Sequence, residues 1–337
     1  MGAVSGEPAG GEGPPAARPG RAARRRARRR PPPLPQRGGL DAVRWQVPRD
    51  VPEGARALDL LLSRFPALAD PTATELGTRF ATGEIVDADG RPWAAADRVA
   101  PGEEMWFHRE LRPEAVPEIE LPVLHRDDHL LVIDKPHDVA TMPRGAHILS
   151  SALVRLRRET GIESLVPLHR LDRRTAGVLA FGIRSEERSA YQQLFARREV
   201  EKEYEALAMP EPGSSLPRSP GERLTLLDRL VTVRGELATQ VVPGAVNAET
   251  ELEMIAAEPS GALRVRLRPR TGRTHQLRAQ LAARGAPILG EDLYGTTADV
   301  PAEAERPLQL LARRLAFRDP CTAEPREFLS TRELEAE

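Results

Sequence analysis

The stretch VPLHRLDRRTAGVLAFGI, Val166 to Ile183, constrains this chain more than any other. A polar loop carrying His169, Arg170, Leu171 and Asp172 runs through Thr175 and Gly177 into an apolar run from Val178 to Phe181. A continuous apolar run this short predicts a buried strand. Gly177 tolerates positive φ at little steric cost and relaxes the backbone just before the strand. An acid in that loop stands at the lip of a sheet, where a substrate can reach it. The plainer reading is a turn whose aspartate caps a backbone group and whose arginines are solvated.

The chain of 337 residues has room for two ordered domains, or one large domain with a small satellite. Hydrophobic residues make up 40% and aromatic residues only 4%, so aliphatic side chains must supply most of the burial. No uninterrupted apolar run is long enough to span a bilayer. Cys321 is the only cysteine, which rules out an intrachain disulfide and makes a reducing cytoplasm the simplest location. Of the 49 cationic residues only Lys135 and Lys202 are lysine. Where arginine serves as the general cation, a surviving lysine marks a place that needs a compact ammonium.

In chain order, residues 1–40 form a basic tail rich in Arg, Pro and Gly, with nine arginines against two glutamates. Its composition predicts disorder and leaves two readings of its arginines, sequence-independent contact with nucleic-acid phosphates or a solvated tail with no specific role. Residues 41–118 form a small domain. A helix is expected over Ala55–Phe65, then a short helix, a strand at Gly83–Val86, turns at Gly90 and Gly102, and a strand through Met105–Phe107. This order resembles the S4-type RNA-binding module. Pro113 and Pro117 punctuate an exposed linker.

The large domain spans residues 119–337. Two strands flank Arg126–His129, the second being Leu130–Ile133, and Pro136 ends it. A helix follows over Ser151–Gly161, and another opens at Ser185-Glu186-Glu187. Val200–Ala208 alternates as a strand, placing Lys202 and Tyr204 on one face and Glu201, Glu203 and Glu205 on the other. Residues 250–258 and 262–268 form a hairpin about Pro259-Ser260-Gly261. A helix capped by Thr274 carries Leu277 and Leu281, and the final strands lie in LQLLARRLAF. Irregular alternation with several hairpins predicts an α+β fold with a mixed, mostly antiparallel sheet.

HRLDRRTAG, KEY at Lys202–Tyr204, TGRTHQLR at Thr271–Arg278, VIDKP and the late GEDLYG together resemble the RluA-type RNA pseudouridine synthases, in the same linear order over residues 121–320. The resemblance implies an isomerase that detaches uracil from C1′ of a uridine in structured RNA, ribosomal or transfer, and rejoins it through C5. It implies no metal and no organic cofactor. It maps the essential acid onto Asp172, the tyrosine that packs on the target base onto Tyr204, and the acid's cationic partner onto Arg278. Arg170 is the residue expected to enter the RNA. His169, Lys202, Thr271, Arg273 and His275 are further RNA-contacting or supporting positions.

The sequence departs from the family pattern in several places. Ala176 stands where Ser is common, Gln280 where His is usual, Glu291 where Asp is usual, Leu310-Leu311-Ala312 in place of L-H-A, and His137 in place of the Gly after the K-P pair. None removes Asp172, Tyr204 or Arg278. A metal hydrolase using His169, Asp172 and His275 is a rival, but no HExxH or CxxC pair accompanies them, and neither Cys321 nor the other histidines cluster at ligand spacing. A catalytically inactive RNA-binding protein with this fold is the second rival; it predicts loss of Asp172 or Tyr204, and both are present. Nothing in the sequence calls for an obligate dimer, so a monomer is expected.

Overall fold

The computed structural model describes residues 31–52, 54–111, 113–233, 235–295 and 306–335. Most of the expected basic tail lies outside the described residues. The chain divides into two compact units at Glu110 and Leu111, earlier than the expected boundary, and Gln36–Leu40 belongs with the larger one. The expected linker is not free: Glu114 accepts hydrogen bonds from the backbone N–H groups of Ile148, Leu149 and Ser150.

The small unit contains β1 (Val43–Gln46), α1 (Ala57–Arg64), a short 3-10 turn (Pro66–Ala69), α2 (Leu76–Ala81) and β2 (Glu104–Phe107). β1 and β2 pair antiparallel. Leu61 and Phe80, one from each helix, pack with Trp45, Met105 and Phe107 into one core. Gly83, Gly90 and Gly102 all have positive φ. The strand expected at Gly83–Val86 is reduced to isolated bridges from Val86 to Pro92 and Trp106.

In the large unit the strands are β3 (Val123–Arg126), β4 (Leu130–Lys135), β5 (Val166–Pro167), β6 (Ala176–Gly182), β7 (Glu201–Ala208), β8 (Arg223–Thr232), β9 (Thr239–Val242), β10 (Ala248–Ala257), β11 (Leu263–Pro269), β12 (Leu310–Arg318) and β13 (Pro325–Leu329). The helices are α3 (Ala152–Thr160), α4 (Arg188–Arg197) and α5 (Gln276–Ala282). Among the described residues these strands form one sheet in the order β3-β4-β6-β12-β7-β11-β10-β8-β9, with β5 paired to β6 and β13 to β12. The β6–β12 pair is parallel and every other pair is antiparallel.

The burial follows from the side-chain pattern. Every residue of β4 and β6 is buried, because helices and loops cover both faces of that part of the sheet. β11 alternates instead: Leu263, Val265 and Leu267 face the core, while Arg264, Arg266 and Arg268 face out. Those arginines pair across the sheet with Glu203, Glu205, Glu253 and Glu258.

Two helix starts differ from expectation. α4 begins at Arg188, not at Ser185, because Glu187 turns to the His129 ring instead of entering the first turn. α5 begins at Gln276, with His275 in left-handed conformation before it, and Thr274 makes no cap. The Gln276 side chain accepts the Arg273 N–H in place of a cap. The β8–β9 hairpin was not foreseen; the burial of Leu226, Asp228 and Leu230 at alternate positions is its signature.

Gly177 sits inside β6 with φ +112°. A Cβ at this position would lie 2.7 Å from Ala312 N, with the carbonyl of Ala312 closer still. The parallel β6–β12 register, Leu311 beside Ala176 and Ala312 beside Gly177, thus depends on a missing side chain. Gly177→Ala is expected to lower the unfolding free energy by more than ~2 kcal/mol, read from urea denaturation. An unchanged midpoint would show that the two strands separate at no cost.

Candidate active site

The polar loop before β6 is fixed to its surroundings by side chains on both sides of Asp172. Thr141 Oγ1 donates to Leu171 O at 2.7 Å and accepts from Leu171 N at 3.1 Å. The buried Lys135 Nζ donates to Arg173 O at 3.1 Å, and to Pro136 O and Val139 O, both at 2.8 Å. Burial pushes the Lys135 ammonium down to about 7, against the opposing charges of Asp138 and Asp172. His137 Nδ1 donates to Arg174 O at 2.7 Å, and the Arg173 guanidinium donates to Asp138 at 2.8 Å. Asp138 has φ +60°, a left-handed turn that brings its carboxylate back to the loop.

Asp172 opens into a cavity of about 860 Å³ whose wall also includes Arg170, Lys202, Tyr204, Thr271, His275 and Arg278. Every residue expected at the site from sequence, His169 and Arg273 included, lines this one cavity. Tyr204 packs against both main hydrophobic clusters beneath the sheet. Burial, then the charge of Asp172, pushes its hydroxyl well above the usual phenol range. A neutral ring is therefore presented beside the carboxylate.

Arg278 is placed differently from expectation. Its guanidinium bonds Glu291, Nε to Oε2 at 2.9 Å, and Asp292 Oδ1 at 2.6 Å. The side chains of Arg278 and Glu291 are 4% and 3% exposed, a buried fork-to-fork pair. Its charge still reaches Asp172. Among the described residues, the basic side chain within 4.0 Å of the Asp172 carboxylate is His275, whose Nε2 lies 3.9 Å from Oδ1. The other ring nitrogen, Nδ1, is 3.0 Å from the Tyr294 hydroxyl, which also accepts the Thr239 N–H at 2.6 Å. This set of bonds is satisfied with Tyr294 donating to Nδ1 and the imidazole proton on Nε2, toward Asp172.

The remaining positions divide by exposure. Arg170 and Arg273 are exposed at the rim, as are Arg198 and Arg270, giving a cationic border suited to an anionic backbone. Lys202 Nζ donates to Thr271 O at 3.2 Å, and Thr271 Oγ1 bonds the Glu249 N–H at 2.9 Å, so both also brace the wall. His169 accepts the Ala180 N–H at Nε2, 3.1 Å, and stacks on Phe195 with centroids 5.2 Å apart. It lines the cavity as a neutral strap between loop and sheet. Thr141, His137, Asp138, Arg174 and Tyr294 were not foreseen. Asp292 and Tyr294 fall inside the quoted GEDLYG stretch, where no role had been given to them.

With this geometry in place, residues 129–283 match the sequence pattern of the family described as RNA pseudouridylate synthase. The dual-specificity RNA pseudouridine synthase RluA of Pasteurella multocida (strain Pm70) is 34% identical over 215 residues, covering 60% of this chain and 90% of that protein. Its namesake from Haemophilus influenzae (strain ATCC 51907 / DSM 11121 / KW20 / Rd) is 31% identical over 219 residues, covering 62% and 91%. The solved structure of human RNA pseudouridylate synthase domain containing 1 aligns with a TM-score of 0.49 at 22% identity, over 66% of this chain and 86% of that one. The chain belongs to the RNA pseudouridylate synthase family, as an enzyme of the RluA type. It is an isomerase acting on RNA. No helix among the described residues is long and apolar enough to cross a membrane.

Two expectations follow. Thr141→Val keeps the shape but leaves both Leu171 peptide groups unpaired, so the unfolding free energy should fall by roughly 1–3 kcal/mol. The turnover number should fall while the affinity for RNA stays near its original value, measured by single-turnover kinetics beside RNA binding. His169 gives a pH signature. Burial, with Lys202 adding to the effect, pushes its imidazole down from 6.5 to about 3. Between those values the unfolded chain binds the extra proton, so the contribution of His169 is whole above pH 6.5 and lost as pH falls toward 3. His169→Gln should flatten the acid limb of stability in that window, followed by urea denaturation at a series of pH values.

Proposed function

We propose that this enzyme converts uridine to pseudouridine in structured RNA, ribosomal or transfer, with Asp172 as the essential residue. The observation that carries this reading is the Asp172 carboxylate itself. It is held in the cavity between two backbone clamps, with the Tyr204 ring and the His275 imidazole beside it. A loop fixed on both sides presents its acid in one geometry, which a reaction at a sugar carbon requires.

In this reading a uridine leaves its helix, enters the cavity, and rests its uracil on Tyr204. Stacking on an aromatic ring suits an unpaired base. Arg170 occupies the gap left in the RNA, and Arg198, Arg270 and Arg273 take the flanking phosphates. Asp172 acts on the sugar, by attack at C1′ or by removing a proton. The C1′–N1 bond breaks, the uracil turns, and C5 bonds to C1′. The C5 proton then leaves for solvent and N1, freed from the sugar, takes up a proton, so that the product is an isomer of the substrate. Arg278 supplies positive charge from behind its acid pair without touching the reacting atoms. Relatives named as dual-specific lead us to expect more than one target RNA. The enzyme works as a cytoplasmic monomer in this reading.

The test is release of tritium from RNA labelled at C5 of uridine, wild type beside Asp172→Asn. Wild type should release label from total cellular RNA, and the variant should lose activity by at least ~10⁴-fold while keeping RNA affinity. Absence of release by wild type on both ribosomal and transfer RNA would sink the substrate reading. Full activity in Asp172→Asn would remove the acid from the mechanism.

A further inference from the structure

At the end of β4 opposite Lys135, three segments distant in sequence meet. His129 leads into β4, Glu187 precedes α4, and Cys321 lies in the turn between β12 and β13. A ring nitrogen, a carboxylate oxygen and a thiol sulfur, one from each, all lie within 4.8 Å of one another. His129 Nδ1 is 2.9 Å from Glu187 Oε2 and 3.0 Å from Oε1. The separation of these residues along the chain hid the cluster from the spacing argument that found no ligand group in the sequence.

We propose that His129, Glu187 and Cys321 form a zinc site that joins the β3–β4 turn, the start of α4 and the β12–β13 turn. A thiolate and an imidazole beside one carboxylate select a borderline-soft transition ion, whereas magnesium and calcium take oxygen donors. Three protein donors leave the fourth tetrahedral position to water. Binding expels the thiol proton of Cys321 to solvent; the proton by which His129 Nδ1 bonds Glu187 leaves as well or moves to Nε2, so that the ring binds the ion through a bare Nδ1. Cys321 is exposed, so rotation of its side chain closes the remaining gap to the ion.

The surrounding bonds hold the donors in place before any ion arrives. The His129 N–H donates to Asp127 Oδ1 at 2.8 Å, and the Cys321 N–H donates to Asp319 Oδ1 at 2.9 Å. Arg326 bridges those two aspartates, at 2.9 Å to Asp127 and 3.1 Å to Asp319. Tyr191, one turn into α4 from Glu187, donates its buried hydroxyl to Asp319 at 3.0 Å. All three donor segments are therefore tied to Asp319, directly or through Arg326. Such an outer set of bonds orients metal ligands. Arg184 lies 3.7 Å from Glu187 Oε1, but it already pairs with Asp128 at 3.1 Å and has solvent to move into. β4 separates the site from Lys135 by roughly 15–20 Å, from the rise of a strand, so the ion takes no part in the reaction.

Cys321 is the only thiol of the chain, which makes the site readable directly. The full-length protein, stripped with a chelator, is titrated with Zn²⁺, and with Co²⁺ as the spectroscopic probe. We expect one ion per chain, a sulfur-to-cobalt charge-transfer band, protection of the thiol from a disulfide reagent, and a higher melting temperature. Cys321→Ser should abolish the band, and Cys321→Ser and His129→Gln should each weaken Zn²⁺ binding by about 100-fold or more. Both variants should keep the wild-type circular dichroism and synthase activity. The proposal is overturned if no ion binds in a one-to-one ratio, if the thiol stays equally reactive, or if both variants bind Zn²⁺ as the wild type does. Displacement of Zn²⁺ by Mg²⁺ would equally overturn it.

Discussion

A single ammonium under the active loop carries much of this architecture. Lys135 stands at the end of a fully buried strand and gives its three protons to three carbonyl oxygens, from Pro136, Val139 and Arg173. An ammonium has three donors and no acceptor, so this arrangement satisfies it completely. A planar guanidinium could not reach the same three oxygens. The strand end, the turn after it and the loop bearing Asp172 become one piece. Thr141 closes the other side by holding both peptide groups of Leu171. The backbone on both sides of the acid is therefore tied to the residues around the end of β4.

A second layer lies behind the first. Arg278 and Arg174 are both buried, and both reach Asp292. Glu291 completes the charge balance and also accepts the N–H groups of Asp292 and Leu293 at 3.0 Å. Removing one partner of such a buried set costs about 3–5 kcal/mol, because the others remain desolvated. The departures from the family pattern are absorbed locally. Gln280 bonds Thr250 at 2.7 Å and Asp228 at 2.9 Å, so the residue standing for a histidine is fully paired. His137 and Asp138, where a glycine is usual, supply two of the loop's anchors.

Much of this was legible in the sequence, for reasons that differ by element. The apolar run of β4, the alternation in β7 and the β10–β11 hairpin are local patterns, and the chain folds as they read. Asp172, Tyr204 and Arg278 were legible through motifs in a fixed order, and they meet at one cavity. The direct partners of Arg278 were not, because which acid lies nearest a guanidinium depends on how α5 faces the 291–295 loop. Thr141 and His137 carry no signal of their own; a threonine or histidine in a turn has many uses. The cluster of His129, Glu187 and Cys321 is invisible to spacing, since sheet order alone brings those turns together.

The contact of Gly177 with Ala312 has a temporal consequence. β6 is flanked by β4 on one side and β12 on the other, and β12 follows it by more than a hundred residues of chain. Pairings so distant in sequence form late, since a long segment must be organised before its ends can meet. During synthesis the loop of Asp172 emerges well before the strand that completes its support, and Tyr204 waits on the same strand through its pairing with Ala312. A nascent chain lacking β12 thus holds the acid and the tyrosine but not the geometry between them. The geometry of the site is therefore complete only once β12 has paired with both β6 and β7.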